Sequence, residues 1–293
     1  MYSEIAANKR KTWFLVVLFT AVIVALGYAF GQMYGDPYGG TILATVVATV
    51  MSLTGYFQGD SVALAAAGAK RIERKDSEYV WNLVENLSIA SGVPMPAVYI
   101  IEDPAGNAFA TGRDPKHASI AVTTGLIRML SKSELEGVIA HEMSHVKNYD
   151  IRVMTIVVVL VGIVMLLSDW MMRGMFFRRD NRDAGGPILL IIGIALAILS
   201  PVFAQLIKMA VSRQREYLAD ASGAMMTRYP EGLASALQKI ADADLPLQKA
   251  NHATAHLFLA NPFDPHVTKK FEQLFSTHPP ITERIKRLRE MGV

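Results

Sequence analysis

The stretch VIAHEMSHVKNY, Val138–Tyr149, is followed almost at once by VMTIVVVLVGIVMLL, Val153–Leu167. The first reads as water-activating metal chemistry on a helix, the second as membrane. Residues four apart leave one helical face about a turn apart, so His141 and His145 aim both imidazoles at one point. That spacing suits two nitrogen ligands on a single Zn2+. Glu142 lies one position round from His141, beside the metal rather than on it. A carboxylate there can take a proton from an activated water and return it to a leaving amine. The plain alternative is a solvated helix face that happens to carry these three side chains.

A catalytic zinc needs a third protein ligand, with the fourth position left for water or substrate. A histidine six residues past His145, with a glycine between, is ruled out: the chain has Asn148 and Ile151 at those places. The other source is a carboxylate from a separate helix. SRQREYLAD offers Glu216, with Asp220 one turn on and on the same face. Glu216 can ligate the ion while Asp220 accepts a hydrogen bond from the outer nitrogen of a liganding histidine and so fixes its tautomer. Taken alone, Glu216 would read equally well as a surface carboxylate paired with Arg213 or Arg215. Among the seven histidines, His252 and His256 share the four-residue spacing but have Ala253 where the base should stand, so they read as structural or groove-lining. His117 and His266 fall in turns and read as solvated. His278, in STHPPITER, is a candidate donor to the oxyanion of a tetrahedral intermediate.

The rest of the chain is organised around apolar blocks. At 52% hydrophobic and a mean hydropathy of +0.27, the 293 residues are too apolar for an ordinary soluble protein. Four blocks carry the excess, near residues 13–34, 37–59, 153–168 and 184–207. The first, second and fourth run roughly 22 to 24 residues without a charge, enough to cross a bilayer core as a helix. The third has only about 16 before Asp169, so as a span it tilts, thins the bilayer or forms half of a shallow hairpin; the alternative is a buried helix of a soluble core. The first block is too long for a signal-peptide core and a second follows directly, so it reads as a retained anchor.

The expected domains are therefore a membrane hairpin at 1–59, a catalytic part with the HEMSH helix at 60–152, a second membrane hairpin at 153–207, and a catalytic part with the third ligand at 208–293. Within these, Ile72, Val80, Leu83, Val84 and Leu87 recur at helical spacing up to a stop at Gly92. Ala97–Ile101 reads as a strand, and NAFATG and ASIAVTTGLI as further β-rich runs. Ser131 and Glu134 form a capping box for the HEMSH helix, taken to run through Asp150. The fold class is α+β: a small β-sheet with an active-site helix, plus four mostly transmembrane helices in two hairpins. There is no cysteine, hence no disulfide, thiol nucleophile or Cys-type zinc site. The net charge of +3 comes largely from Lys/Arg flanking the apolar blocks, which membrane orientation explains better than nucleic acid does. No interleaved aromatic-basic patch points to RNA or DNA, so no nucleic-acid partner is expected. NKRK at Asn8–Lys11 favours a cytoplasmic N-terminus. After two crossings the catalytic part is then cytoplasmic too, and because His141 and Glu216 must share an ion, the third and fourth blocks between them cross as a pair or not at all. The four arginines of RGMFFRRDNRD run against that assignment, but more Lys/Arg lie on the assigned inside.

In combination, NAFATG, TTGLI, HEMSH, SRQREYLADASG and THPPITERI, with the paired anchor and second apolar hairpin, make the chain similar to the HtpX family of bacterial membrane zinc metalloproteases, relatives of the prenyl-protein CAAX proteases. The resemblance covers nearly the whole length. It implies a zincin, gluzincin-type, metalloprotease domain with one catalytic Zn2+ per subunit on His141, His145 and Glu216, and Glu142 as general base. It implies endoproteolysis of misfolded or damaged membrane proteins in quality control and stress response, from the cytoplasmic side of the bacterial inner membrane. It also implies that Asn107 and His278 face the substrate, and that Arg284 acts structurally through a carboxylate such as Asp220. NAFATG then makes sense as an edge strand to which an extended peptide adds by main-chain hydrogen bonds, giving broad recognition of membrane-protein substrates. The rival readings are a selective CAAX-type processing protease and a zinc-bearing membrane scaffold without catalysis, the latter having no use for Glu142.

Overall fold

The computed structural model describes residues 2–177, 212–243, 245–248, 254–260 and 279–291. The fourth apolar block, the connection leading to it from residue 178, NPFDP and the histidines 252, 266 and 278 lie outside the described residues.

The chain begins with two long helices, α1 (Tyr2–Tyr34) and α2 (Pro37–Ala66). Asp36 starts α2 by accepting the Gly39 N–H at 2.9 Å, with Pro37 in the first turn where its missing N–H costs nothing. Among the described residues, Glu4–Gln32 and Pro37–Ala66 are long and apolar enough to cross a membrane, by length and composition. Their outer faces fit that reading: Trp13, Phe14, Val17, Leu43, Val46, Val50, Leu53 and Phe57 are each more than half exposed. Their inner faces meet the later helix α6 (Asp150–Phe177) through Leu15, Phe19, Ala48, Val153, Val157 and Leu160. Helix α6 continues past Asp169, where the uncharged run ends.

A short strand, β1 (Ala69–Arg71), follows α2. The helical periodicity expected from Ile72 takes hold only at α3 (Glu78–Ser91), after Ser77, and ends at Gly92 with φ +69°. The polar run between them makes a turn, in which Asp76 accepts the Glu73 N–H at 2.8 Å. Strands β2 (Ala97–Ile101), β3 (Ala108–Gly112) and β4 (Ala118–Thr123) complete one four-stranded sheet, ordered β1-β2-β4-β3. Strand β2 runs parallel to β4, and the other two pairs are antiparallel. The segment read as one β-rich run through TTGLI divides at Thr123, whose hydroxyl accepts the Leu126 N–H at 3.1 Å and starts α4 (Thr124–Met129).

Helix α5 (Lys132–Lys147) carries HEMSH, and Ser131 N–H donates to the Glu134 carboxylate at 2.7 Å as the capping box requires. It stops three residues short of the expected Asp150, because Tyr149 takes the left-handed conformation at φ +61° and Asp150 opens α6 in a new direction. Helices α7 (Arg213–Thr227), α8 (Pro230–Ala243) and α9 (Ile281–Glu290) close the fold. The main core lies between the sheet, α3, α5 and α8, with Val84, Ile120, Val138, Met143, Leu233 and Leu237 fully or nearly fully buried.

Candidate active site

Helix α5 is buried along almost its whole length, and its two histidines point at α7. The two helices pack backbone to backbone there: a Cβ on Gly223 would stand 3.0 Å from the His141 nitrogen. That approach brings Glu216 to the imidazoles. The Nε2 atoms of His141 and His145 are 3.1 Å apart. Glu216 Oε1 lies 3.5 Å from His145 Nε2, and its Oε2 lies 3.9 Å from His141 Nε2. One donor atom from each residue falls within 4.8 Å of the others, and all three residues are buried.

The outer nitrogens determine what the inner ones do. His141 Nδ1 is 2.9 Å from Asp220 Oδ1, and His145 Nδ1 is 3.1 Å from Asp150 Oδ2. A carboxylate can only accept, so each Nδ1 carries a hydrogen, and whenever the ring is neutral its Nε2 turns a lone pair inward. Two lone pairs and a carboxylate converging on one point repel unless a cation lies between them. Charge counting agrees. Among the described residues, Glu142, Asp150, Glu216 and Asp220 bring four buried negative charges, while Arg215 and Arg284 bring two positive ones. With both rings neutral and all four carboxylates ionised the group is two charges short, so it draws in positive charge, either protons on His145 and Glu142 or a divalent cation. The donor set, two imidazoles and one carboxylate, is that of a catalytic zinc site with an open position.

Burial and the neighbouring charges together set the electrostatics of these side chains. Burial and the charge of Glu216 push the Glu142 carboxyl up to about 7, against the pull of His145 and the Ala110 N–H. Burial works to lower His145, but its hydrogen bond to Asp150 and the charges of Glu216, Asp150 and Glu142 outweigh it and raise the ring to about 9. Burial lowers His141, with Asp220 opposing. A buried glutamate that titrates near neutrality beside a donor cluster is suited to carrying a proton.

Arg284, on α9, is itself buried and grips Asp220 through Nε and Nη2 at 2.9 and 2.7 Å, with Nη1 on the Leu259 carbonyl at 3.1 Å. Asn107 precedes β3, and its amide is engaged by the chain itself. Its Nδ2 donates to the Ala260 carbonyl at 3.0 Å, and its Oδ1 accepts from Ala108 and Ala260. The edge of β3 is likewise not bare. The Ala108 carbonyl accepts from Leu259 at 2.9 Å, and Gly112 N–H donates to Thr155 Oγ1 at 3.0 Å. His117 is exposed and pairs with Asp114, and His256 is buried with Nε2 3.1 Å from the Met154 carbonyl. His278 lies outside the described residues. Asp150 and Asn8 were not picked out from the sequence as site residues. Asp150 reaches His145 only because the chain turns at Tyr149, a conformation with no signature in the apolar pattern.

The sequence profile of peptidase family M48 matches residues 74–292. The chain belongs to peptidase family M48. Among curated relatives, a "Protease HtpX homolog" of Caldanaerobacter subterraneus subsp. tengcongensis is 46% identical, the match covering 100% of this chain and 98% of that one. A protein of the same name from Tropheryma whipplei is 48% identical over 100% of this chain and 99% of its own. The resemblance drawn from the motifs therefore holds. The crystal structure of S. mikatae Ste24p aligns over 98% of this chain and 67% of its own, with a TM-score of 0.54 and 18% identity, a likeness of fold. This M48 chain is a membrane metalloprotease, and its buried His141–His145–Glu216 cluster is suited to hold the metal.

Proposed function

We propose that the protein is a zinc-dependent endopeptidase of the bacterial inner membrane, with a zincin fold of the gluzincin type. It cleaves misfolded or damaged membrane proteins from the cytoplasmic side, as part of quality control. The observation that carries the reading is the convergence of both imidazole Nε2 atoms, 3.1 Å apart, on the Glu216 carboxylate, with Glu142 buried alongside.

On this reading His141, His145 and Glu216 hold one Zn2+ per subunit. The ion, when bound, supplies Lewis-acid polarisation of a water and of the scissile carbonyl. Asp220 and Asp150 keep the imidazoles in the tautomer that offers Nε2. Glu142 takes the proton of the attacking water and delivers it to the departing amine nitrogen. His278, from the segment leading into α9, donates to the developing oxyanion. The extended peptide meets β3 at Ala110, the strand residue whose N–H reaches Glu142, between the ends of the edge that Leu259 and Thr155 hold. Asn107 shapes one end of that groove through the Phe258–Ala260 segment it clamps. The four spans in two hairpins and the cytoplasmic orientation rest on the apolar blocks and the Lys/Arg distribution.

Glu142→Gln tests the chemistry. The variant should keep its zinc and lose chelator-sensitive cleavage of casein and of an unfolded membrane protein. Undiminished turnover would end the proposal. Prenylated CAAX peptides assayed alongside separate broad clearance from selective processing: preferential cleavage of the prenylated peptides would replace the quality-control role.

A further inference from the structure

The two histidines of the centre are held from opposite sides. His141 leans on Asp220 and, through it, on Arg284 of the last helix. His145 leans on Asp150, and that path leads into the first membrane helix. Asp150 Oδ2 meets His145 Nδ1 at 3.1 Å, while its other oxygen, Oδ1, accepts from Asn8 Nδ2 at 2.7 Å. The same amide donates to the Asn148 carbonyl at 2.9 Å, and its Oδ1 accepts from Arg215 Nη1 at 3.3 Å. Arg215 Nη1 also lies 3.4 Å from Asp150 Oδ1. Asn8 is 0% exposed, Asp150 3% and Arg215 6%.

These contacts use both amide N–H groups of Asn8 and its oxygen, on partners more than a hundred positions away in the chain. An apolar anchor has no need of a buried amide, and burying one is unfavourable unless its partners are fixed. The partners here are the turn that ends α5 and the carboxylate that orients a proposed metal ligand. Asn8 therefore does for His145, at one remove, what Arg284 does for His141.

We propose that Asp150 and Asn8 are positioning residues of the metal centre. Asp150 fixes the tautomer and rotation of His145, and Asn8 on α1 fixes Asp150, so the first membrane helix completes the metal site as well as anchoring the chain. This inference rests on His145 being a zinc ligand. A carboxylate behind a liganding imidazole typically accounts for a tenfold to hundredfold difference in metal affinity. Part of the affinity is then set by how α1 stands against α5 and α6.

The test uses full-length protein in detergent micelles, with Zn2+ dissociation constants from competition against a chromophoric chelator. Asp150→Ala should weaken Zn2+ binding about 10- to 100-fold and Asn8→Ala about tenfold. The double variant should bind no more weakly than Asp150→Ala alone, because Asn8 acts through Asp150. Val17→Ala, on the exposed outer face of the same helix, should bind as wild type does. In Co2+-loaded protein, Asn8→Ala should shift the visible absorption bands, which general loosening of the hairpin would leave in place. The proposal is overturned if Asn8→Ala keeps the wild-type dissociation constant and Co2+ spectrum, even with a lowered unfolding temperature, since Asn8 would then only pack. Independent, additive losses from Asn8→Ala and Asp150→Ala overturn it as well. His145→Ala separates the two layers: undiminished zinc affinity there removes the ligand reading itself, whereas lost affinity there with wild-type affinity in Asn8→Ala removes only the present inference.

Discussion

Arg284 and Asp220 meet fork to fork, Nε on Oδ2 at 2.9 Å and Nη2 on Oδ1 at 2.7 Å, in a place where Arg284 is 1% and Asp220 4% exposed. Removing one partner of such a pair leaves a buried charge uncompensated. Arg284→Ala should lower stability by about 3–5 kcal/mol in denaturant unfolding. Arg284→Lys should recover little of the loss, because an ammonium cannot reproduce the two parallel bonds. Burial works to raise the Asp220 carboxyl, but the charge of Arg284 and hydrogen bonds from His141 and Arg284 outweigh it and hold the group at about 2. A depressed carboxyl stabilises the fold above its ordinary value near 3.8 and loses that contribution as pH falls through about 2. In Arg284→Ala the acid limb of the stability profile should move to higher pH.

Zinc binding should depend on pH in two regimes. The metal-free protein holds a proton on His145 up to about 9 and on Glu142 up to about 7. The ion must displace the His145 proton. Between about 7 and about 9 the dissociation constant should fall roughly tenfold per pH unit, and above about 9 it should level off. Below about 7 the slope should steepen as the Glu142 proton joins the exchange. The stability of the metal-free protein should run the other way. His145 is raised above its ordinary 6.5, so its contribution is complete below that value and disappears as pH rises through about 9. Chelator competition and thermal unfolding across this range check both. A pH-independent dissociation constant would contradict the assignment.

Gly223 holds α5 and α7 close enough for Glu216 to face the histidines. Gly223→Val should force the helices apart, at about 1–3 kcal/mol in unfolding free energy. It should weaken metal retention as well, although the residue touches none of the donor atoms directly. Equilibrium dialysis against zinc buffers measures the second effect; unchanged retention in the folded variant would mean the approach is not needed.

What the sequence discloses about this protein follows how local each signal is. His141, Glu142 and His145 are legible because four-residue spacing on a helix fixes their directions without further information. Glu216 and Asp220 follow because they repeat that spacing on another helix, and a zinc site needs a third donor. The helix start at Ser131 is written in a short capping pattern with Glu134. Asp150 and Asn8 are illegible for the opposite reason. The reversal at Tyr149 depends on one left-handed residue, and Asn8 belongs to a basic stretch that reads as an interface flank. Strand β1 is missed because three polar-rich residues carry no period of their own and pair only once β2 is in place. The hydrogen bonds that tie Asn107 and β3 to Leu259 and Ala260 join segments with no shared pattern.

The most direct test of the whole account is the metal content of purified Glu216→Ala beside wild type, after both are dialysed against a weak chelator. The account predicts close to one zinc per chain in the wild type and almost none in the variant, with the helical content of both alike. A variant that keeps a full equivalent of zinc would show that α7 does not supply the third ligand, and the two-helix metal centre would have to be abandoned.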